Sequence, residues 1–226
     1  MERYLQPTAF FDYHQPQLKA WIDAQLEGVP EDPVEQIKVL YLAVRDSIHY
    51  NPYVFDTHPD TFSASHALAC GETYCIPKAV LLGAAARSIG IPSRLGLADV
   101  RNHLSSQKLI EWLRSDIFRM HGFIELYLNG RWVKATPAFN RQLCELMKVE
   151  PLAFDGVHDS VFQEYTESGE AHMEYVNSHG VFDDVPHAFI VDGVRAAYGH
   201  LFSSEGALPA RSGSLEDDVA TQTTGP

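Results

Sequence analysis

The run GETYCIPKAVLLGAAARSIGIPSR, residues 71–94, decides the fold. It reads as a turn, a cysteine, a nearly all-apolar helix and a glycine stop. Thr73 or Tyr74 can start the helix, and Pro77 then falls in the first turn, where its missing N–H costs little. Gly90 sits where a left-handed C-cap belongs, and Pro92 prevents the helix from resuming. Ala79, Leu82, Ala86 and Ile89 recur at helical spacing, and Ala84 and Ala85 fill most of the remainder. Such an apolar, small-sided helix belongs at the centre of a core, closely packed by its neighbours. Cys75 then lies at the positive end of a buried helix dipole. That position is expected to favour the thiolate, the nucleophilic form of cysteine.

Upstream, Leu18, Trp21, Ile22 and Leu26 mark an amphipathic helix from Pro16 to Glu27, ended by Gly28. Asp32-Pro33-Val34-Glu35 is a strong start signal: Asp32 can cap, Pro33 suits the first helical position, and Glu35 can complete a capping box. The helix that follows keeps Ile37, Leu40, Tyr41, Val44 and Ile48 on one face and ends near Tyr50. A loop over 51–63 leads to a short helix opened by Ser63 or Ser65 and running through Ala69.

Downstream of the central helix, Ser93 to Val100 reads as a strand. Residues 101–116 form a polar loop with a helical turn around Leu109, Trp112 and Leu113. Two extended runs then flank Asn129-Gly130, a strong two-residue hairpin turn. That turn pairs Tyr127 with Trp132, Phe123 with Thr136 and His121 with Ala138. His121 and Thr136 become diagonal neighbours on one face. Residues 141–150 read as helical, and Glu174 to Val176 and Ala188 to Val191 as further strands.

The chain of 226 residues carries a net charge of -13, unevenly placed. Residues 1–140 hold 15 acidic and 13 basic residues, whereas 141–226 hold 15 acidic and 4 basic. Phosphate contacts need a basic face, so nucleic acid is not an expected partner. No run is apolar enough to span a membrane and the start shows no signal peptide. With three cysteines, this argues for free thiols in a reducing cytoplasm. His158, His172, His179 and His187 are scattered among acidic residues, and no His-Glu-x-x-His spacing occurs. Neither a metal nor a cofactor is expected.

A nucleophilic cysteine needs a base within reach, and the base usually needs a third group to orient it. Cys75 on a helix start and His121 on a strand meet if the helix packs on the sheet. The Cys75 backbone N–H is then a natural oxyanion donor. Cys70 packs behind the turn, or serves as a resolving thiol in a redox role. Cys144 has no notable context. Lys78 and Arg94 read as helix-surface and strand-end charges.

The pattern Gly-x-x-x-Cys-x-x-Lys-Ala followed by Arg-x-x-Gly-Ile-Pro-x-Arg within residues 71–94 resembles the bacterial transglutaminase-like proteins. HGFIELYLNGRWV, residues 121–133, is similar to that family's histidine hairpin, and VRDSIHYNP, residues 44–52, to the segment preceding its cysteine. The resemblance covers about residues 31–140. It implies a papain-like α+β fold with the cysteine helix packed on an antiparallel sheet. It also implies a Cys-His-Asp triad for acyl transfer or hydrolysis at a carboxamide or peptide bond, with protein, peptide or small amide substrates. One position departs: Thr136 stands four residues after Trp132, where the family has its aspartate. A threonine hydroxyl can fix the imidazole tautomer but cannot stabilise an imidazolium as a carboxylate does. Asn140, Asp116, Asp155 or Asp159 could supply the missing group. The expected organisation is one domain over 1–200, with its core at 31–140, an acidic extension over 141–200 and a disordered tail over 201–226. The alternative to an enzyme is the same fold retained as a binding or scaffold module.

Overall fold

In a computed structural model, all residues are described except 104, 162–172, 204–207, 209–212 and 224–226. The central helix comes first in the physics. It runs over Cys75–Ser88 with Tyr74 at the N-cap, and every residue from Cys75 to Arg87 is buried. Gly90 adopts φ +81. Its N–H donates to Arg87 O and the Ile91 N–H to Ala86 O, which closes the helix with the paired bonds of a Schellman motif.

Around this helix, α4, lie the elements that aim it. These are α1 (Pro16–Gln25), α2 (Pro33–Ser47), β1 (His49–Tyr50), α3 (Ala64–Cys70) and β2 (Glu72–Thr73). Asp32 caps α2 by accepting from the Val34 and Glu35 N–H groups. Glu35 does not close a capping box; its carboxylate takes Lys38 instead. The two-residue strands β1 and β2 pair in parallel. His49 N–H donates to Gly71 O and Asn51 N–H to Thr73 O, which sets Tyr50 beside the start of α4.

The main sheet has four strands in the order β5-β4-β3-β6. They are β3 (Ser93–Asn102), β4 (Ile117–Leu128), β5 (Arg131–Ala135) and β6 (Met173–Phe182). All three pairings are antiparallel. Helices α5 (Gln107–Leu113), α6 (Arg141–Met147), α7 (His187–Ala197) and α8 (Leu215–Thr223) are the remaining described α-helices. The strand expected at Glu174 to Val176 lies inside β6, but Ala188 to Val191 belongs to α7. There Ile190, Val191 and Val194 are buried at helical spacing, and a short apolar run does not distinguish a strand from a buried helix.

One buried cation corrects the sequence reading, and a second ties distant segments together. Lys78, expected on the helix surface, is fully buried. Its Nζ donates to Arg45 O at 2.8 Å and to Ile48 O, so it caps the carbonyl end of α2 from within the core. Arg87 reaches Gln6 O, Ser93 O and Asp183 O and lies over the Phe11 ring. It thereby holds the N-terminal segment, β3 and the turn after β6 together. Arg94 does sit at a strand end, half-buried and paired with Glu125 at 2.6 Å.

The segment past residue 200, expected to be disordered, contains α8. Leu215 and Val219 of that helix are buried. Glu216 meets His49 and Asn140, and Asp218 meets Tyr53 and Lys108. Its acidic composition therefore serves polar contacts to the domain rather than solvation alone. The rest of that expectation falls largely outside the described residues. No helix among the described residues is long and apolar enough to cross a membrane.

Candidate active site

Cys75 is the first residue of α4 and Gly122 lies directly against that turn. A Cβ on Gly122 would approach Ile76 Cα to 2.8 Å, closer than side chains tolerate. The Gly122 N–H points at Cys75 Sγ, at 3.4 Å. Glycine is thus what lets strand and helix backbones meet at the sulfur. We expect Gly122→Ala to push α4 off β4 at a cost of about 1–3 kcal/mol and to weaken the Gly122–Sγ contact. Thermal unfolding together with the Cys75 alkylation rate checks this.

His121 precedes Gly122, on β4 just past an irregularity. The β3–β4 register shifts between Ala98 and Val100, and Met120 takes φ +59. Asp99, buried in β3, accepts the Met120 N–H and also holds Arg119 Nη1 and His179 Nε2, each at 2.7 Å. Burial would raise the Asp99 pKa, but His179, Arg119 and the Met120 N–H keep it below the ordinary value. This buried carboxylate braces the bend in the chain immediately before His121.

Cys75 and His121 line one cleft, together with Tyr50, Phe55, Tyr74, Trp112 and Tyr198. Between the thiol and the imidazole there is no hydrogen bond. Burial pushes the Cys75 thiol up to about 11, against the N–H groups of Gly122, Ile76 and Cys75, which favour the thiolate. Burial alone pushes His121 down to about 4. At neutral pH the pair is thiol and neutral imidazole. The thiolate expected from the helix N-terminus is overruled because that dipole supplies about 1 kcal/mol and desolvation of the charge outweighs it.

Thr136 comes to His121 by a different route from the one the hairpin predicts. The β4–β5 ladder runs from Leu128–Arg131 only as far as Ile124–Ala135. Beyond it the chain leaves β4 and pairs with Ser160: Thr136 N–H donates to Ser160 O, and Ser160 N–H to Lys134 O. The expected pairs Phe123–Thr136 and His121–Ala138 therefore do not form in the ladder. Even so, His121 and Thr136 share a small second cavity, lined otherwise by the apolar Ala138, Phe139, Leu152, Val161 and Met173. His121 Nε2 and Thr136 Oγ1 are both buried there without a partner.

The other proposed orienters are engaged elsewhere. Asn140 accepts the Tyr50 N–H and donates to Glu216. Asp116 pairs with Arg101, Asp155 with His158, and Asp159 accepts the Lys134 N–H. Cys70, expected behind the turn, is exposed and has its Sγ 3.3 Å from His66 Nε2. Cys144 is buried in the core. Of the scattered histidines, His179 meets Asp99, His158 meets Asp155 and His187 meets Thr57 O; His172 lies outside the described residues. Sequence reasoning assigned no site role to Tyr74, Tyr198, Asp99 or Gly122. Only Gly122 carried a local signal, as a small residue within a strand beside the candidate histidine.

A buried helix that starts at a cysteine and packs on an antiparallel sheet carrying a histidine defines the papain-like α+β fold of cysteine enzymes. The transglutaminase-like superfamily core pattern matches residues 21–137, and the chain belongs to that superfamily. A solved structure of a proposed cysteine protease from Cytophaga hutchinsonii is similar, at 16% identity and a TM-score of 0.46. The match covers 83% of this chain and 48% of that one, so the chain spans about half of that relative's length. No curated protein matches the chain.

Proposed function

We propose that the protein is a cysteine enzyme acting on a carboxamide or peptide carbonyl through a thioester. Supporting this most directly is the placement of Cys75 and His121 on one cleft, with the Cys75 N–H at the start of α4. In the proposed reaction His121 takes the Cys75 proton as Sγ bonds to the carbonyl carbon. The tetrahedral oxyanion receives the Cys75 N–H. The C–N bond then breaks and His121 returns the proton to the departing amine. Water, or a second amine, attacks the thioester and gives a proton to His121. The C–S bond breaks, and that proton restores the thiol.

Acylation with p-nitrophenyl acetate tests this reading. Peptide mass spectrometry should find acetyl on Cys75, and Cys75→Ala should abolish the burst of p-nitrophenolate. Labelling confined to the exposed Cys70 would sink it.

Thr136 is the proposed orienter of His121, directly or through a bridging water, as its position and unpaired hydroxyl suggest. Thr136→Val should lower kcat/KM about tenfold. Thr136→Asp should raise the His121 pKa, read by imidazole NMR, and raise the acylation rate at neutral pH. A Thr136→Val protein with wild-type kinetics and an unmoved imidazole titration would remove Thr136 from this role.

A second reading, a binding or scaffold module on an eroded site, is favoured by one specific observation. No described carboxylate lines the cavity behind His121. An inert Cys75 in a folded protein with its native secondary structure intact would select it.

A further inference from the structure

The cleft that holds Cys75 is apolar almost throughout. Phe55, Trp112, Phe118, Val194 and Tyr198 form much of its wall. Arg119 is the one permanently charged side chain among the described lining residues, and Asp99 Oδ2 already holds its Nη1 at 2.7 Å. The described lining residues include no carboxylate to receive a cation. A charged group brought here loses hydration without gaining a counter-ion committed to it.

Besides His121, whose Nε2 also borders the second cavity, one residue of this wall carries a buried polar group without a partner. Tyr74, the residue before Cys75, lines the cleft, is only 6% exposed, and has a buried hydroxyl with no hydrogen bond. Its ring is held edge-on by Phe55 and Phe62, with centroids 5.3 and 6.1 Å away. Burial raises its pKa well above the ordinary tyrosine value. The phenol therefore stays protonated and keeps its donor. A buried phenol normally finds a partner. What the cleft lacks is an acceptor, and a substrate carbonyl is one.

Resting on the reading of Cys75 as nucleophile, we propose that the cleft selects an uncharged acyl donor. Its aromatic or branched aliphatic group occupies the apolar wall, and its carbonyl oxygen accepts from the Tyr74 hydroxyl and the Cys75 N–H. Tyr74 is then the second oxyanion donor, and the acceptable substrates are internal peptide bonds or N-acyl amides beside an apolar side chain. Free amino acids and donors whose acyl group carries a carboxylate or a cationic group are rejected.

Three activated esters applied to the full chain test this: p-nitrophenyl phenylacetate, p-nitrophenyl succinate and p-nitrophenyl 4-guanidinobenzoate. In each, Sγ–C bond formation expels p-nitrophenolate, and mass spectrometry locates the acyl group. Cys75 should be acylated at least about tenfold faster in kcat/KM by phenylacetate than by either charged ester, after correction for intrinsic reactivity. Tyr74→Phe should lower the acylation rate about a hundredfold, with little change in KM. Equal or faster acylation of Cys75 by a charged ester overturns the substrate class. Unchanged kinetics in Tyr74→Phe overturn the role of the hydroxyl. If no ester acylates Cys75, including the acetate, the reading of Cys75 as nucleophile is what fails.

Discussion

His121→Ala lowers the Cys75 acylation rate at pH 7 by about a thousandfold or more. The magnitude follows from the two groups in the cleft. With the thiol pushed up to about 11, about one molecule in ten thousand carries the thiolate at pH 7. Direct attack by that fraction is slow, so a base must remove the proton as the S–C bond forms. His121, pushed down to about 4 by burial, is neutral at pH 7 and able to accept it. The two mechanisms differ in pH dependence. In His121→Ala the rate should climb tenfold per pH unit from 7 toward 10, following the thiolate. In the wild type it should be much flatter, because the base is already deprotonated over that range. A substitution that merely disturbed packing would lower the rate without steepening the profile. A His121→Ala rate within threefold of wild type would mean that the imidazole does not serve Cys75.

The largest loss of stability is expected from Lys78→Ala, about 3–5 kcal/mol, or roughly a 10 °C fall in Tm. The substitution empties the space of a fully buried side chain and leaves the Arg45 and Ile48 carbonyls without their donor. Lys78→Met keeps most of the volume, so its loss should be smaller, and it isolates the charge. Burial pushes Lys78 down to about 7, with Asp46, Cys144 and Glu216 opposing and Arg45 adding to the shift. In the unfolded chain lysine titrates near ~10.4. Below pH 7 both states are protonated and the fold bears the full desolvation penalty. Above pH 7 the folded protein releases the proton while the unfolded chain keeps it, so stability rises with pH. The thiols of Cys75 and Cys144, both pushed up to about 11, act in the opposite sense from about pH 8.5 upward. The clean window is therefore pH 7 to about 8.5. Denaturant unfolding of the wild type should show increasing stability across it, and Lys78→Met should be flat. Equal slopes in the two proteins would mean that Lys78 does not titrate in this range.

The parts of the fold that could be read in the chain were those specified by local chemistry. Gly90 and Pro92 ended α4 where a left-handed glycine and a helix-blocking proline must. Asp32 and Ser63 capped α2 and α3 through short side chains that reach nearby N–H groups. Asn129-Gly130 set a register that the β4–β5 ladder keeps as far as Ala135. The parts that failed depend on partners distant in sequence. The apolar run Ala188 to Val191 became helix because α7 lies against β4 near Met120, with Gly193 at the contact. Lys78 went inside because α2 ends its carbonyls there. The chain past Ala135 bent away from β4 because Ser160 offered both halves of a backbone pair.

By itself the sequence determined the helix that begins at Cys75, the hairpin that carries His121, and the superfamily to which the chain belongs. The helix and the hairpin rest on turn, cap and periodicity signals that act within a few residues of each other, and the superfamily rests on the motifs within 71–94 and 121–133 that resemble it. The protonation state of the site was decided only by the tertiary structure. A helix N-terminus is a local property and favours the thiolate, but desolvation is set by everything packed around the sulfur, and here it wins. The company kept by His121 was decided at the same level. Thr136 reaches its cavity, while Asn140, Asp116, Asp155 and Asp159 are drawn into hydrogen bonds elsewhere. Which polar group a buried imidazole meets depends on how distant segments compete for partners, and that competition has no signature in any one stretch of chain.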